Sequence, residues 1–359
     1  MQRKALLKVL GGTCLVVALI ALLMVGCAKP APAPAPAPAP EEPEVTKWVF
    51  QPAFGPEDAG WGCGVVPWIE DVEAATKGTI EIELLPLGSI CSDPEALPMT
   101  IKGVLDLTAG WATNYGGDLP EGHLAYGQSF TSQTWEEHWD ILWGDKYRAG
   151  ELVQEACHEK GIHWVGWCSQ GWNSSYGNFE VHKWEDYQGK KMYAGGPQSV
   201  YLEAMGGNPV VMPPTEIYMS IKTGILDGTF WDVGGTDDMK YYEVVDNYFL
   251  PPWCGSQNQE IFINLDTWNA LEQWQRDAIS GIFQSNYAKA STMHDELVGE
   301  AIQTAKDNGC KVIEMSEAEQ ARTLERVKEL VWPETRELSP RCDEGMDIYM
   351  QWMKDHGRL

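Results

Sequence analysis

The sequence predicts an α/β chain folded as two lobes around a binding cleft, and two observations carry that prediction. The first is an internal echo. Thr215 to Thr223 reads as a short amphipathic helix closed by Gly224, followed by Ile225-Leu226-Asp227 and the aromatic pair Phe230-Trp231. Earlier, Met99-Thr100-Ile101-Lys102-Gly103-Val104-Leu105-Asp106 follows the same order and arrives at Trp111. Two such units imply two lobes, each bringing a tryptophan to the C-terminal edge of a strand, where open α/β sheets bind ligands. The second observation is the alternation of helical and strand periods along the chain, which predicts mainly parallel sheets covered by helices.

The elements follow in order. Arg3, Lys4 and Lys8 precede an apolar run from Val9 to Val25, and Gly26-Cys27 puts a small residue directly before cysteine. Residues 1–26 are therefore expected to be a signal peptide, with Cys27 as the lipid attachment site. An uncleaved anchor is the alternative, because the run is nearly long enough to span a bilayer. Either outcome tethers the protein outside the cytoplasm. Residues 27–44 form a linker in which proline and alanine alternate from Pro30 to Pro40, and proline's fixed φ makes it an extended spacer.

Beyond it, Lys47 to Gln51 reads as a strand, Val65 to Ala75 as a helix with Val65, Ile69, Val72 and Ala75 on one face, and Ile80 to Leu84 as a second strand. Trp135 to Lys160 is a helical region ending at Gly161, and Trp164 to Trp167 a buried strand. Glu272 to Asn308 carries Ile279, Phe283, Tyr287, Ala290, Met293, Leu297, Ala301 and Ala305 at helical spacing, a length unusual for a globular helix. Lys311 to Met315 is a strand, and Ser316-Glu317-Ala318-Glu319 a capping box. No second linker occurs after Val45, so interleaved lobes are expected: 45–168 with about 258–295, and 169–257 with about 296–359.

Composition narrows the function. The chain holds 26 Lys and Arg against 52 Asp and Glu, a net charge of −26 that argues against nucleic acid or anionic lipid as partners. Of nine cysteines, Cys14 lies in the signal and Cys27 at the lipid site, leaving seven with no CxxC pair. Zinc ribbons and thioredoxin-like chemistry thus have no support, the connectivity of any disulfides is open, and an odd count leaves at least one thiol without an internal partner. No catalytic constellation emerges. His158 and His163 are five apart, wrong for one helical face, HExxH and GxSxG patterns are absent, and Asp237-Asp238 and Glu136-Glu137 read as solvated faces. The 17 tryptophans are the stronger signal, since a flat apolar ring with one donor suits ligand stacking as well as packing. Trp68, Trp139, Trp143, Trp268 and Trp352 fall on predicted helices and take structural roles.

A run of motifs resembles the solute-binding proteins of tripartite ATP-independent periplasmic (TRAP) transporters. It comprises Asp186-Tyr187-Gln188-Gly189-Lys190-Lys191-Met192, Gly206 to Pro213, Glu216-Ile217-Tyr218, Gly224 to Gly228 and Trp231, with Gly78 to Ile82 and Pro86 to Ser89 upstream and Phe262-Ile263-Asn264 and Trp268 downstream. The resemblance implies a two-lobed periplasmic-binding-protein-like fold with the long helix running across both lobes. It implies a receptor that closes on a small solute and hands it to a permease of one small and one large membrane subunit. A ligand-sensing lipoprotein signalling through a protein partner is the alternative, and an extracytoplasmic enzyme on the same scaffold a lesser one. The C-terminal residues Ile348, Met350, Trp352 and Met353 would permit a homodimer or burial against the same chain.

Residue by residue, the resemblance places Trp111, Trp172, Tyr193 and Trp231 in the cleft, with Gln170, Asn173 and Thr229 as polar contacts and Phe230 beside them. Two departures shape the expected ligand. Tyr193 stands where the family ordinarily has an arginine that grips a substrate carboxylate, and losing a charge-assisted bond removes roughly 1.5–3 kcal/mol. Phe230 stands where the 2-oxoacid branch, whose pattern Trp231, Gly234 and Asp237-Asp238 follow, has a metal-binding glutamate. No metal or other cofactor is therefore expected, and the solute is expected to be aromatic or rich in apolar surface.

Overall fold

In β1 (Thr46–Phe50), Trp48 and Phe50 are buried on one face while Thr46 and Lys47 stay exposed. The computed structural model describes residues 45–359 apart from Glu57, and of Ser169, Gln170 and Ser256 only the backbone. The predicted signal peptide, Cys27 and the proline-alanine linker lie outside the described residues. Val45–Leu359 forms one unit.

α1 (Val66–Ala75), β2 (Ile80–Leu84), α2 (Asp93–Ile101) and β3 (Leu107–Gly110) follow β1. Then α3 (Gly122–Tyr126), α4 (Trp135–Trp143) and α5 (Ala149–Lys160) lead into a long strand, β4 (Ile162–Gly177). β5 (Lys191–Tyr193), α6 (Pro197–Ala204), β6 (Asn208–Val210), α7 (Pro214–Lys222) and β7 (Gly228–Asp232) precede a second long strand, β8 (Asn247–Asn264). The chain ends in α8 (Leu265–Ala270), α9 (Gln273–Asp307), β9 (Lys311–Glu314), α10 (Glu317–Leu330), α11 (Trp332–Glu337) and α12 (Pro340–Asp355).

The strands form one sheet in the order β2-β1-β3-β8-β4-β7-β5-β6, with β9 on β8. β4 and β8 carry it from one lobe to the other. Residues 260–263 of β8 pair with β3, whereas its residues 247–250 pair with β9, and β4 meets β7 only over Asn173–Gly177. Register shifts at Trp167/Gln170 and Gly171/Asn173 mark the crossing, and bulges of this kind bend and twist a strand pair. The pairs β1–β2, β1–β3, β5–β6, β5–β7 and β8–β9 are parallel, but β3–β8, β4–β7 and β4–β8 are antiparallel. The expectation of a mainly parallel sheet therefore holds within each lobe's outer strands and fails at the crossing, where antiparallel strands can pass directly between lobes.

The 35-residue α9 is about 50 Å long at 1.5 Å per residue. Its Ile279 packs in the cluster of Trp48, Phe50 and Trp68, its Tyr287 in the aromatic cluster of Trp164 and Trp167, and its Val298, Ala301 and Ala305 in the cluster of Ile217, Tyr241 and Tyr248. One helix thus braces both lobes. A single turn of wider helix, Trp61–Val65, precedes α1 against β4, and there Gly64 is required, because a Cβ would stand 1.4 Å from the Cys168 carbonyl oxygen. At the C-terminus, Trp352 and Met353 are buried against the same chain, and Ile348 and Met350 pack partly buried beside them. The seven described cysteines are all buried, and no disulfide joins them.

Candidate ligand cleft between the lobes

β5 and β7 run parallel, with Tyr193 opposite Thr229, so their C-terminal ends bring Tyr193 and Trp231 together. The ring centroids are 5.9 Å apart and tilted by 50°, and Tyr241 meets Trp231 edge-on at 6.0 Å. Both rings and Trp172 are half-buried at the fringe of one apolar cluster. Trp172 sits on the crossing segment of β4, and its side chain bonds to Asp295 of α9. Trp111 follows β3 on the other lobe, half-buried and edge-on to Phe54 at 5.8 Å.

The remaining sequence-predicted residues turn elsewhere. Phe230 is fully buried among Tyr187, Tyr201 and Trp253, with ring centroids 6.2, 6.0 and 6.4 Å away. Alternation along β7 accounts for this, since successive side chains point to opposite faces. Thr229 is fully buried and its hydroxyl bonds to the Phe230 carbonyl. Asn173 is buried and its Oδ1 accepts from Trp253 Nε1 at 2.7 Å. Gln170 pairs through its backbone with Asn258. His158 and His163, whose separation is wrong for one helical face, meet nonetheless, because Gly161 turns the chain from α5 into β4: His158 Nε2 lies 2.6 Å from His163 Nδ1, and His163 stacks on Trp268.

Sequence reasoning missed a group of ionisable residues beside these rings. Asp232, next after Trp231, has His294 Nε2 of α9 at 2.9 Å and accepts from Gly235 N at 3.1 Å. Gly171 allows this approach, as a Cβ there would lie 2.9 Å from the Asp232 carboxylate. From the other lobe, Asp58 Oδ1 accepts from Gly60 N at 2.8 Å and from Gln259 Nε2 at 3.0 Å. Loss of water pushes the Asp58 carboxyl up to about 6, and the charge of Asp232 adds to that, against the Gln259 and Gly60 bonds and His294. Burial works against charging His294, but Asp232, Asp295 and Asp58 together hold it above its ordinary value. Glu260 of β8 is fully buried, with Oε2 on the Ala112 amide at 2.9 Å. Burial holds its carboxyl well above the carboxylate range. The available signals were a polar residue on the buried face of α9 and a carboxylate directly after a cleft tryptophan.

Two surface cavities are lined by none of the rings or acids described around Trp111, Trp172, Tyr193 and Trp231. One of about 410 Å³ is lined by Lys222, Glu243, Asp246 and Cys310, and one of about 190 Å³ by His163, Trp164, Trp268 and Phe283. Among the described residues no group of three or more His, Cys, Asp or Glu is placed to hold a metal ion, and no helix is long and apolar enough to cross a membrane.

Two lobes joined by long crossing strands and one bracing helix, with rings at the strand ends, are the build of a solute-binding protein. Residues 54–336 match the bacterial extracellular solute-binding proteins of family 7, DctP, and the chain belongs to that family. It is 27% identical over 162 residues to the YiiZ protein of Salmonella typhimurium, covering 44% of this chain and about half, 49%, of that protein. It is 23% identical over 272 residues to the C4-dicarboxylate-binding periplasmic protein DctP of Rhodobacter capsulatus, covering 75% and 80% of the two. Its fold is similar to that of a TRAP transporter solute-binding protein of Bordetella bronchiseptica with copurified calcium and picolinate, at a TM-score of 0.75 and 20% identity over 88% of this chain and 94% of that one. The chain is a receptor of the TRAP type and not an enzyme.

Proposed function

We propose that this receptor, tethered outside the cytoplasm through Cys27, takes a small organic solute between its lobes by aromatic contact and delivers it to a permease of one small and one large membrane subunit. The observation that carries the reading is the meeting of Tyr193 and Trp231 at the ends of β5 and β7, with Tyr193 at the position where the resemblance puts an arginine. Of the proteins named above, one is a C4-dicarboxylate-binding protein and another holds picolinate with calcium, and both ligands are acids. In this chain the clamp for such an acid is replaced by a ring. Buried apolar area stabilises a bound solute by roughly 25 cal/mol per Å², so rings on both lobes replace in area what a charged bond would supply. Closing the lobes excludes water and strengthens the few polar contacts inside.

Calorimetry with a panel of small dicarboxylates, 2-oxoacids, neutral aromatic and alicyclic compounds and quaternary ammonium ions tests this. The expected result is tight binding by a compound with a large apolar face, lost in Trp231→Ala. Tight dicarboxylate binding that Trp231→Ala leaves untouched would sink the reading. For the tether, Cys27→Ser should move the protein from the membrane fraction to the soluble one. An unchanged fractionation rules out the lipid anchor.

A further inference from the structure

A buried pair ties the aromatic end of β7 to α9. His294 has no exposed surface, and its Nε2 lies 2.9 Å from both carboxylate oxygens of Asp232, the residue that ends β7 directly after Trp231. A carboxylate only accepts, so Nε2 carries the proton of this bond. The fit around the pair is close: a Cβ on Gly234 would stand 2.9 Å from His294 Nε2, one on Gly171 2.9 Å from an Asp232 oxygen, and one on Gly235 3.2 Å from Trp231 Nε1. None of these three glycines has a positive φ, so what they supply is room for the helix, the crossing strand and the ring to approach. Neighbouring bonds extend the contact. Asp295, next on α9, bonds to the Trp172 side chain, and the Trp172 carbonyl accepts from Val233 N at 2.8 Å. Ten residues further along the helix, the Thr304 hydroxyl donates to Asp237 Oδ2 at 2.8 Å. The loop after Trp231 is thus stitched to α9 at both ends, and the same helix packs Ile279 into the core with Trp48, Phe50 and Trp68.

We propose that His294 is a positioning residue for solute binding: its bond to Asp232 fixes the turn after β7, so that α9 sets where Trp231, and through Asp295 where Trp172, meets the solute. This rests on the inter-lobe cleft being the binding site. Stability alone does not call for the pair, because well-packed apolar side chains often replace a buried ion pair at no cost. What the pair adds is direction. Gly234 and Gly235 have no side chains with which packing could hold the turn, whereas a charge-assisted bond shielded from water holds it at one distance and one angle. Burial disfavours the charged ring of His294, but Asp232 on β7, Asp295 on α9 and Asp58 after β1 face it and together raise its pKa above the ordinary 6.5. Burial keeps Cys63, Tyr126 and Tyr176, which also feel Asp232, protonated well above neutral pH. The charge beside Trp231 therefore changes near neutrality through His294, with Asp58 titrating lower, at about 6.

The test uses the purified protein labelled with 5-fluorotryptophan, in which Trp231→Phe, Trp172→Phe and Trp274→Phe assign three fluorine resonances. In the wild type the Trp231 resonance should move with pH, with a midpoint above 6.5. That of Trp274, at the far end of α9, should stay still. The movement should persist in Asp58→Asn, shift to a lower midpoint in Asp232→Asn and vanish in His294→Gln. Asp295→Asn keeps an acceptor for Trp172 and should leave its resonance in place, whereas Asp295→Ala should move it. Indole, a flat neutral probe, should bind about fivefold more weakly to His294→Gln, and its affinity for the wild type should follow the Trp231 midpoint, which a histidine that only stabilises the fold would not produce. A Trp231 resonance that does not titrate in the wild type, or that titrates unchanged in His294→Gln, overturns the proposal. The first of these needs no substitution at 294 or 232, so it decides even where those variants fail to fold. The cleft reading fails separately: if neither indole nor picolinate moves the Trp172 or Trp231 resonance, the solute site is elsewhere and the proposal falls with it, whereas a Trp231 that responds to a probe but not to pH overturns the role of His294 alone.

Discussion

The wall of the proposed cleft at the ends of β5 and β7 offers rings, Tyr193 and Trp231 with Trp172 beside them, whereas the wall that follows β1 and β3 offers one half-buried ring, Trp111, and the Asp58 carboxyl. The difference lies in how each wall is braced. Tyr193 and Trp231 lean on an apolar cluster that includes Tyr241 and Val233, while Asp58 is held by an amide and the Gln259 side chain. One wall supplies area and the other supplies charge, so substitutions on the two walls should fail in different ways.

The largest expected effect comes from removing area. Trp231→Ala deletes a ring from the wall with most aromatic surface and should weaken solute binding by about 2–3 kcal/mol, since a large aromatic contact is typically worth that much. Trp111→Ala on the opposite wall should cost about half as much, because its ring neighbour there, Phe54, is buried and adds no area for the solute. Calorimetry on the same solute orders the two. An equal loss at both positions would erase the distinction between the walls.

Tyr193→Arg exchanges area for charge on the aromatic wall. It should raise affinity for a small dicarboxylate by roughly 1.5–3 kcal/mol while lowering affinity for an apolar solute. Direct titration with both ligands reads the exchange, and an arginine variant indifferent to dicarboxylates would mean that position 193 does not face the solute.

On the acidic wall the expected effect is smaller and depends on pH. Asp58 is a half-buried residue whose carboxyl is raised from the ordinary 3.8 to about 6, mainly by loss of water. The unfolded chain gives up that proton near 3.8 and the folded chain near 6, so the folded state binds more protons in between. Stability from this group is complete below pH 4, falls as pH rises to about 6 and is level above. His294, also raised, extends the decline past 6.5 in the same direction. Asp58→Asn should flatten the segment between pH 4 and 6 by about 1–2 kcal/mol, allowing for partial exposure. Denaturant melts at several pH values measure it, and a parallel curve for the variant would show that Asp58 titrates normally.

How much of this could be read from the chain depends on the pattern that carried each part. β2, α9 and β9 were legible because alternation and three-to-four spacing run through them without interruption. β8 was not: Pro251-Pro252, Gly255 and a run of amides from Gln257 to Gln259 hide an 18-residue strand whose pairing comes from β4. The apolar stripe of α9 was drawn through Met293 and Leu297, yet the buried positions are His294 and Val298. A helix turns 100° per residue, so a stripe chosen only from apolar letters skips a buried histidine. Tyr193, Trp172, Trp111 and Trp231 came from the resemblance and land half-buried at strand ends or at the crossing, but Phe230, Thr229 and Asn173, assigned with them, have side chains in the interior. Period-two alternation on β7 separates Phe230 from Trp231, and that argument was available from the letters.

The smallest expected effect is on metal removal. In the 2-oxoacid branch, the resemblance puts a metal-binding glutamate directly before the tryptophan, and here that position is Phe230, packed against Tyr187, Tyr201 and Trp253 with no exposed surface. A hard cation takes oxygen ligands at short range, and a phenyl ring in an apolar cluster cannot supply one. Asp232 on the next position carries an oxygen donor, but it already faces His294 and the Gly235 amide. Solute affinity measured before and after EDTA should therefore agree within error. If chelation abolishes binding and calcium restores it, Asp232, Asp58 or Glu260 must be metal ligands in the solute-bound state. The acidic wall would then act through a bound ion.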